Sequence, residues 1–540
     1  MEEQTTNKAT KIDTDGVLRR DLDWKGAFFI AIGVPALVLF SMGGISATVG
    51  STAWLVWTVS VIFGFLQAFT YAEIAGLFPN KSGGTSVYGA TAWIRYSKLI
   101  APISLWCNWL AWTPVLAIGA GLGAGYLLSI FFAPDAGINT WQITLLSLDF
   151  LKDGLSLRIN STFIIGAVML LVVFAIQHRG ILQTAKIQIV LAVGALLPLL
   201  IVSIVPFFTG DLVAQNFTPF TPLALNADGM VIKGAWNIEG WMLFMGGLFI
   251  AAWSAYAFET AICYTSEFKN PGHDTPRAIL YSGLLCIFVY ILVPVAFQGV
   301  LGTQGMLEPG IADGSGVGKA LAGMVGGGPF ITNLFIVLLI FTLLLAVMTS
   351  MAGSSRTLYQ GGVDGWLPKY LAKANQHGAP ITGMWTDLCF NMVLLLMSDY
   401  LFVLAVSNVN YIIFNFLNLN AGWLHRIDNA KVKRPWRCPD WLIGTGVVLS
   451  MVNAFILGAG ANVWGKGTLL TGFFTAALVL PVFFYRHIVV DKGKFPEHMY
   501  KDLIPEGQTE LSPTKAGILP WITLACGAAM VLIGWLIFWT

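Results

Sequence analysis

The chain has 540 residues, of which 56% are hydrophobic and only 11% charged, with 20 Trp and a formal net charge of +2. Soluble domains carry about a quarter charged residues, so the composition excludes a soluble core, and nothing in the charge points to nucleic acid. The polar stretch Met1 to Asp23 (1-23) lacks the apolar centre and small-residue cleavage site of a secretory signal and reads as a cytosolic tail. Crossing about 30 Å of hydrocarbon takes roughly 20 helical residues. Thirteen apolar runs meet that need, near 24–48, 52–77, 102–131, 162–178, 182–208, 243–263, 278–301, 329–355, 381–398, 400–424, 441–462, 468–486 and 517–539. The expected class is an all-α integral membrane protein.

With the N-terminus inside, 25 of the 30 Lys and Arg fall in cytosolic segments and five, Lys152, Arg158, Lys233, Lys319 and Lys466, fall outside. That asymmetry sets the orientation by the positive-inside rule. An odd number of spans would leave the C-terminus facing outward. All six His lie in or beside cytosolic segments, so no metal site or buried imidazole cluster is expected. Five of the six Cys lie in apolar runs and Cys438 in a cytosolic loop, which leaves no disulfide for the outer loops.

Five stretches carry acids, bases, Gly and Pro at the cytosolic helix ends. They are TYAEIAGLFPNKSGG (Thr70 to Gly84), RGILQTAKIQ (Arg179 to Gln188), EFKNPGHDTPRAIL (Glu267 to Leu280), MAGSSRTLYQGGVDGWLPKYL (Met351 to Leu371) and KRPWRCP (Lys433 to Pro439). In this order they resemble the amino acid, polyamine and organocation permease superfamily. That resemblance implies the leucine-transporter-type fold: two inverted five-helix repeats, about 24-208 and 243-424, whose first and sixth helices break at mid-membrane. The core would then be 24-426, and 427-540 would hold about three peripheral C-terminal helices. A broken helix frees N–H and C=O groups that lipid cannot satisfy, so they become ligands for a polar solute.

In the first span, IAIGVPALVLFSMGGIS supplies helix breakers twice, at Gly33 and Pro35 and again at Gly43 and Gly44. Pro35 removes a donor and frees a carbonyl a turn back. The superfamily's Gly-small-Gly triplet, counted from Gly33, falls instead on Leu37, Val38 and Leu39. Either the break lies over Gly33, Val34, Pro35 and Ala36, or it has slipped to Met42, Gly43 and Gly44, with Ser41 beside it. The usual α-carboxylate pocket is altered in both cases.

The sixth span, FIAAWSAYAFETAICYTSEFKNP, aligned on its KNP, puts Trp253 where relatives stack an aromatic ring on substrate and Glu259 on their membrane-embedded acid. A carboxylate at mid-depth costs on the order of 3 kcal/mol and must be protonated, paired or hydrated, so Glu259 is the candidate proton carrier or amine ligand. Ser254 and Tyr256 flank the expected break, and Ala257 stands where Gly is usual. The fifth-span Lys of many relatives falls on Ala195. Proton coupling through Glu259, exchange without an ion, and a sodium site on Thr349, Ser350 and first-span carbonyls therefore all stay open.

Trp109, near Asn108 and Trp112 in the third span, and Asn408, near Asn410 in the tenth, complete the candidate binding set. At the cytosolic ends, Glu73, Glu267, Arg356 and Asp364 are candidates for an inner charge network that holds a gate shut. The reading is a secondary transporter for an amino acid or related organic amine, working by alternating access. A membrane enzyme would want clustered His or carboxylates, and a sensor on the same fold would want a signalling domain, for which Val489 to Lys515 is too short. Expected partners are the small-molecule substrate, H+ and the bilayer, with no cofactor. Short loops favour a bacterial or archaeal inner (plasma) membrane, with the protein multi-pass.

Overall fold

The computed structural model describes residues 20, 22–133, 135–179, 196–226, 230–308, 310–326 and 328–539. Most of the tail, Gly180 to Gln188 of the RGILQTAKIQ stretch, and Ala195 lie outside the described residues. The helices are α1 (Trp24–Ala31), α2 (Val38–Val49), α3 (Ala53–Gly76), α4 (Thr85–Trp93), α5 (Ile100–Trp112), α6 (Pro114–Phe131), α7 (Gly137–Thr140), α8 (Ser161–Gln177) and α9 (Leu196–Thr209). They continue with α10 (Ile238–Ala255), α11 (Pro271–Gly305), α12 (Val317–Gly323), α13 (Gly328–Val363), α14 (Ile381–Leu394), α15 (Tyr400–Asp428), α16 (Asp440–Gly460), α17 (Thr468–Ala477), α18 (Val479–Phe484) and α19 (Leu519–Trp539).

Among the described residues, nine helical stretches are long and apolar enough to cross a membrane; the first, Trp24–Gly76, takes in α1 to α3 together. Helix α8 and helix α9 are shorter apolar helices. Side-chain caps start several helices: Asp23, Asn160, Asn237 and Asp399 each accept a backbone N–H three residues on, at 2.8, 2.9, 2.9 and 3.0 Å. Pro114 and Pro271 sit at helix starts, where the missing N–H costs nothing.

Two departures from an all-helical chain lie between the apolar helices. Strand β1 (Gln142–Ser147) pairs antiparallel with β2 (Ser156–Asn160), and β3 (Ala224–Leu225) with β4 (Val231–Ile232). These segments lie outside the hydrocarbon requirement and pair their backbones locally. Helix α4 is too short to span, yet all of it is buried, packed against α5 and α15. At the other extreme α19 leaves Ile522, Leu532, Leu536 and Ile537 exposed and touches mainly α16, as a helix facing lipid would.

Two helices are broken in mid-course. Helices α1 and α2 are joined by a 3-10 turn over Val34–Leu37, which places the first break at the Gly33 to Ala36 position. Met42, Gly43 and Gly44 are regular helix within α2, so the slipped alternative is corrected. Gly43 instead permits close packing, since an added Cβ there would meet the Ile311 carbonyl oxygen at 1.8 Å. The second break follows α10: Tyr256 ends it, and 3-10 turns run over Ala257–Ile262 and Thr265–Glu267.

Candidate functional site

The two breaks meet each other. The Ser254 hydroxyl lies 3.2 Å from the Leu37 carbonyl and 3.3 Å from the Ser41 hydroxyl. From α11, the Tyr290 hydroxyl reaches the carbonyls of Val34, at 2.6 Å, and Ser254, at 3.0 Å. Carbonyls released by the loss of α-helical hydrogen bonding are thus partnered by hydroxyls from neighbouring helices. Gly33 is required by close approach: a Cβ would stand 2.4 Å from Thr349 Oγ1 and 2.5 Å from the Leu345 carbonyl oxygen of α13.

Beside this junction is a cavity of about 10 Å³, lined by Gly33, Val34, Trp112, Thr260, Thr349 and Ser350 among others. It has room for about one water. The Ser350 hydroxyl donates to the Trp112 carbonyl at 2.6 Å and Thr260 to the Ala257 carbonyl at 2.7 Å.

Glu259 lies in the second break and is 2% exposed. Its carboxylate accepts from Thr85 Oγ1 at 2.5 Å and from the Tyr411 hydroxyl at 3.3 Å. No Lys, Arg or His forms an ion pair with it among the described residues. An acid held by hydroxyls and no cation can exchange a proton without breaking a salt bridge.

The other expected binding residues are placed differently. Gly33 and Val34 line the cavity; Pro35 and Ala36 are buried in the same turn. Trp253 is fully buried, its indole N–H shared between the Ala111 carbonyl and Ser407 Oγ at 2.9 Å each, with Trp112 and Phe40 rings 6.2 and 6.1 Å away. The Tyr256 hydroxyl donates to Asn453 Oδ1 at 3.0 Å, and Asn408 Nδ2 donates to the Phe249 carbonyl. Trp109 turns away to Asp387. Gly44 packs on Leu401.

The charged residues singled out for a gate separate into two groups. Arg356 grips Glu267 through Nε and Nη2, the latter at 3.1 Å, with both side chains buried. Nearby, Lys81 pairs with Asp364 at 2.8 Å, and Gln360 links Asp364 to the backbone of Ser82 at 3.1 and 3.2 Å. Glu73 stands apart. It accepts from Arg426 at 2.6 Å, from Arg434 at 3.1 Å and from the Cys438 N–H at 2.8 Å, tying α3 to the end of α15 and the segment after it. Cys438 is buried there, and burial, reinforced by Glu73, pushes its thiol up to about 12, so it is no thiolate.

Sequence reasoning does not single out Thr85, Tyr290, Lys81 or Asp387. Asp387 is a fully buried carboxylate on α14 that accepts from Trp109 Nε1 at 2.6 Å, Thr113 Oγ1 at 3.1 Å and Ser354 Oγ at 2.6 Å. Its signal is the one that marks Glu259, an acid alone in an apolar run. His425, in the last turn of α15, is also buried, against Phe78 and the Tyr88 carbonyl. No group of three or more His, Cys, Asp or Glu placed to hold a metal occurs among the described residues.

A multi-pass helical protein with paired mid-course breaks and a buried acid at one of them has the architecture of a membrane carrier. The amino acid permease family model matches residues 22–484, and the chain belongs to that family. It is a permease and not an enzyme. A polyamine transporter of Oryza sativa subsp. japonica is 24% identical over 434 residues, covering 79% of this chain and 69% of the relative. A branched-chain amino acid permease of Lactococcus lactis subsp. cremoris is 24% identical over 414 residues, covering 74% and 81%. An L-methionine/branched-chain amino acid exporter of Escherichia coli is 28% identical over 284 residues, covering 51% and 52%.

Proposed function

We propose that this permease is a secondary transporter that moves an amino acid or related organic amine by alternating access, driven by protons that load and leave at Glu259. The observation that carries the reading is a buried acid without a cation inside a helix break. Protonation would release the Thr85 and Tyr411 hydroxyls from a charged acceptor and change what holds the second break against α4 and α15. The relatives' substrates, polyamines and branched-chain amino acids, bracket the chemistry expected here. The reading places the breaks in the first and sixth helices of two inverted five-helix repeats, within about thirteen spans and with the N-terminus cytosolic. Glu267, Arg356, Lys81 and Asp364 then form the inner gate. The test is uptake of labelled L-leucine and putrescine into proteoliposomes under an imposed pH gradient.

A second reading has its own observation. Thr349 and Ser350 of α13 face Gly33 and Val34 across the small cavity, a setting of hydroxyls and carbonyls that suits a hard monovalent cation. Replacing sodium by N-methylglucamine at fixed pH separates the two: sodium coupling loses uptake, and proton coupling keeps it.

A further inference from the structure

A second cavity, of about 270 Å³, opens on the face that carries β1 and β2, between α6, the start of α8, the turn 313–315 and the junction of α14 with α15. It is near the lower end of the roughly 300–1,000 Å³ typical of small-molecule sites. Arg158 and Asp313 both line it. The Arg158 guanidinium donates to Gln142 Oε1 at 2.9 Å and to the Ser398 carbonyl at 3.3 Å, which leaves most of its five N–H groups unspent. Asp313 uses one oxygen, Oδ1, to hold its own turn through the Ser315 N–H and hydroxyl, at 2.9 and 2.6 Å. Neither residue makes an ion pair among the described residues, whereas the neighbouring Asp399 is paired with Lys152. The Tyr400 hydroxyl, also on the lining, is buried without a partner.

The remaining walls combine apolar side chains, from Ile118, Leu122, Leu394, Leu395, Met397 and Val403, with Thr162, Ser315 and Ser398. Room is made by α6, where an added Cβ at Gly125 would meet nothing within 4 Å. Opposite charges with spare hydrogen-bonding capacity on the lining of a chamber that also presents apolar walls match a molecule that carries both charges and an apolar side chain. We propose that this cavity is a second binding site, separate from the mid-membrane one, for a zwitterionic α-amino acid with an apolar side chain. Arg158 takes the carboxylate and Asp313 the ammonium. The site rests on the transporter reading only for the direction from which its ligand arrives.

The test is photo-crosslinking of the full-length protein in detergent with photo-leucine, an L-leucine analogue carrying a diazirine, followed by peptide mapping. Adducts are expected on the peptides holding Leu122 and Leu394 to Met397. They should be displaced by excess L-leucine and not by 3-methylbutylamine or 4-methylpentanoate, which each lack one charge. Asp313→Asn and Arg158→Gln should each lower those adducts about fivefold or more. Gly125→Val, which fills the chamber without touching either charge, should do the same. Absence of adducts there, adducts unchanged in Asp313→Asn and Gly125→Val, or equal displacement by the amine would overturn the proposal. Uptake assays fail separately: adducts at this cavity in a protein that transports nothing retire the transporter reading and leave this site standing.

Discussion

The Tyr290 hydroxyl is 2.6 Å from the carbonyl oxygen of Val34, and the same hydroxyl is 3.0 Å from that of Ser254. One side chain of α11 thereby fastens the first break to the second, while Ser254 closes the junction through Leu37. A single hydroxyl proton shared by two carbonyls is a link that opens at small cost when the helices part.

Tyr290→Phe leaves the ring's packing against Trp57 in place, at 5.5 Å between centroids, and removes only the hydroxyl. Two buried carbonyls lose a partner, at a cost of about 1–3 kcal/mol. A lower melting temperature in detergent is expected, with a smaller fraction of the protein closed around substrate. A melting temperature and transport rate both equal to wild type would show that the hydroxyl does not hold the junction.

Gly33→Ala forces a methyl group to within 2.5 Å of α13 atoms that include a backbone carbonyl. Overpacking of this kind costs typically about 1–3 kcal/mol. Because the strain falls on the contact between the first break and α13, uptake should drop about tenfold or more while the protein still reaches the membrane. Pro35→Ala, which adds no clash, serves as the milder comparison.

Arg356 and Glu267 are buried at 3% and 0% exposure. Removing one member strands the other charge, and breaking such pairs costs about 3–5 kcal/mol. Arg356→Met should therefore lower the melting temperature sharply, and the double change Arg356→Met with Glu267→Gln should recover much of the loss. Equal destabilisation in the single and double variants would mean that the pair's charges are not coupled.

Asp502 lies after α18, outside the spanning helices, where its carboxylate accepts from Asn80 Nδ2 at 2.9 Å. Burial raises its pKa above the ordinary carboxylate value and nearby Asp364 adds to that, against the Asn80 bond and Lys81. A raised folded pKa means the folded state holds the proton more tightly. Its contribution to stability is full below the ordinary Asp value and is lost as pH rises through the raised one. Asp502→Asn should thus raise the melting temperature at pH 7 relative to wild type, and the difference should shrink toward pH 4. A difference that grows on acidification would contradict that sign.

Periodicity and breaker residues made much of this legible. The apolar runs overlap helices wherever residues are described, nine of the helical stretches there being long and apolar enough to span, and Gly33 with Pro35 marks the first break because both residues act through the backbone alone. The second break carries no such mark: AFETAI has neither Gly nor Pro, and its 3-10 course is imposed by what surrounds it. Helix α4 escaped for the complementary reason. It is too short for a span, and only tertiary packing on α5 and α15 buries Thr85 beside Glu259. The grouping of the helix-end charges was likewise beyond a linear reading, since Glu73 finds its arginines about 350 positions away, at Arg426 and Arg434.

The most direct test of the central claim is the pH dependence of substrate uptake by Glu259→Gln in proteoliposomes. Gln keeps one acceptor oxygen for Thr85 or Tyr411, offers an NH2 donor in place of the other and cannot carry the proton, so the variant should fold, bind substrate and lose stimulation by an inward proton gradient. Wild-type stimulation persisting in Glu259→Gln would contradict proton loading at this residue.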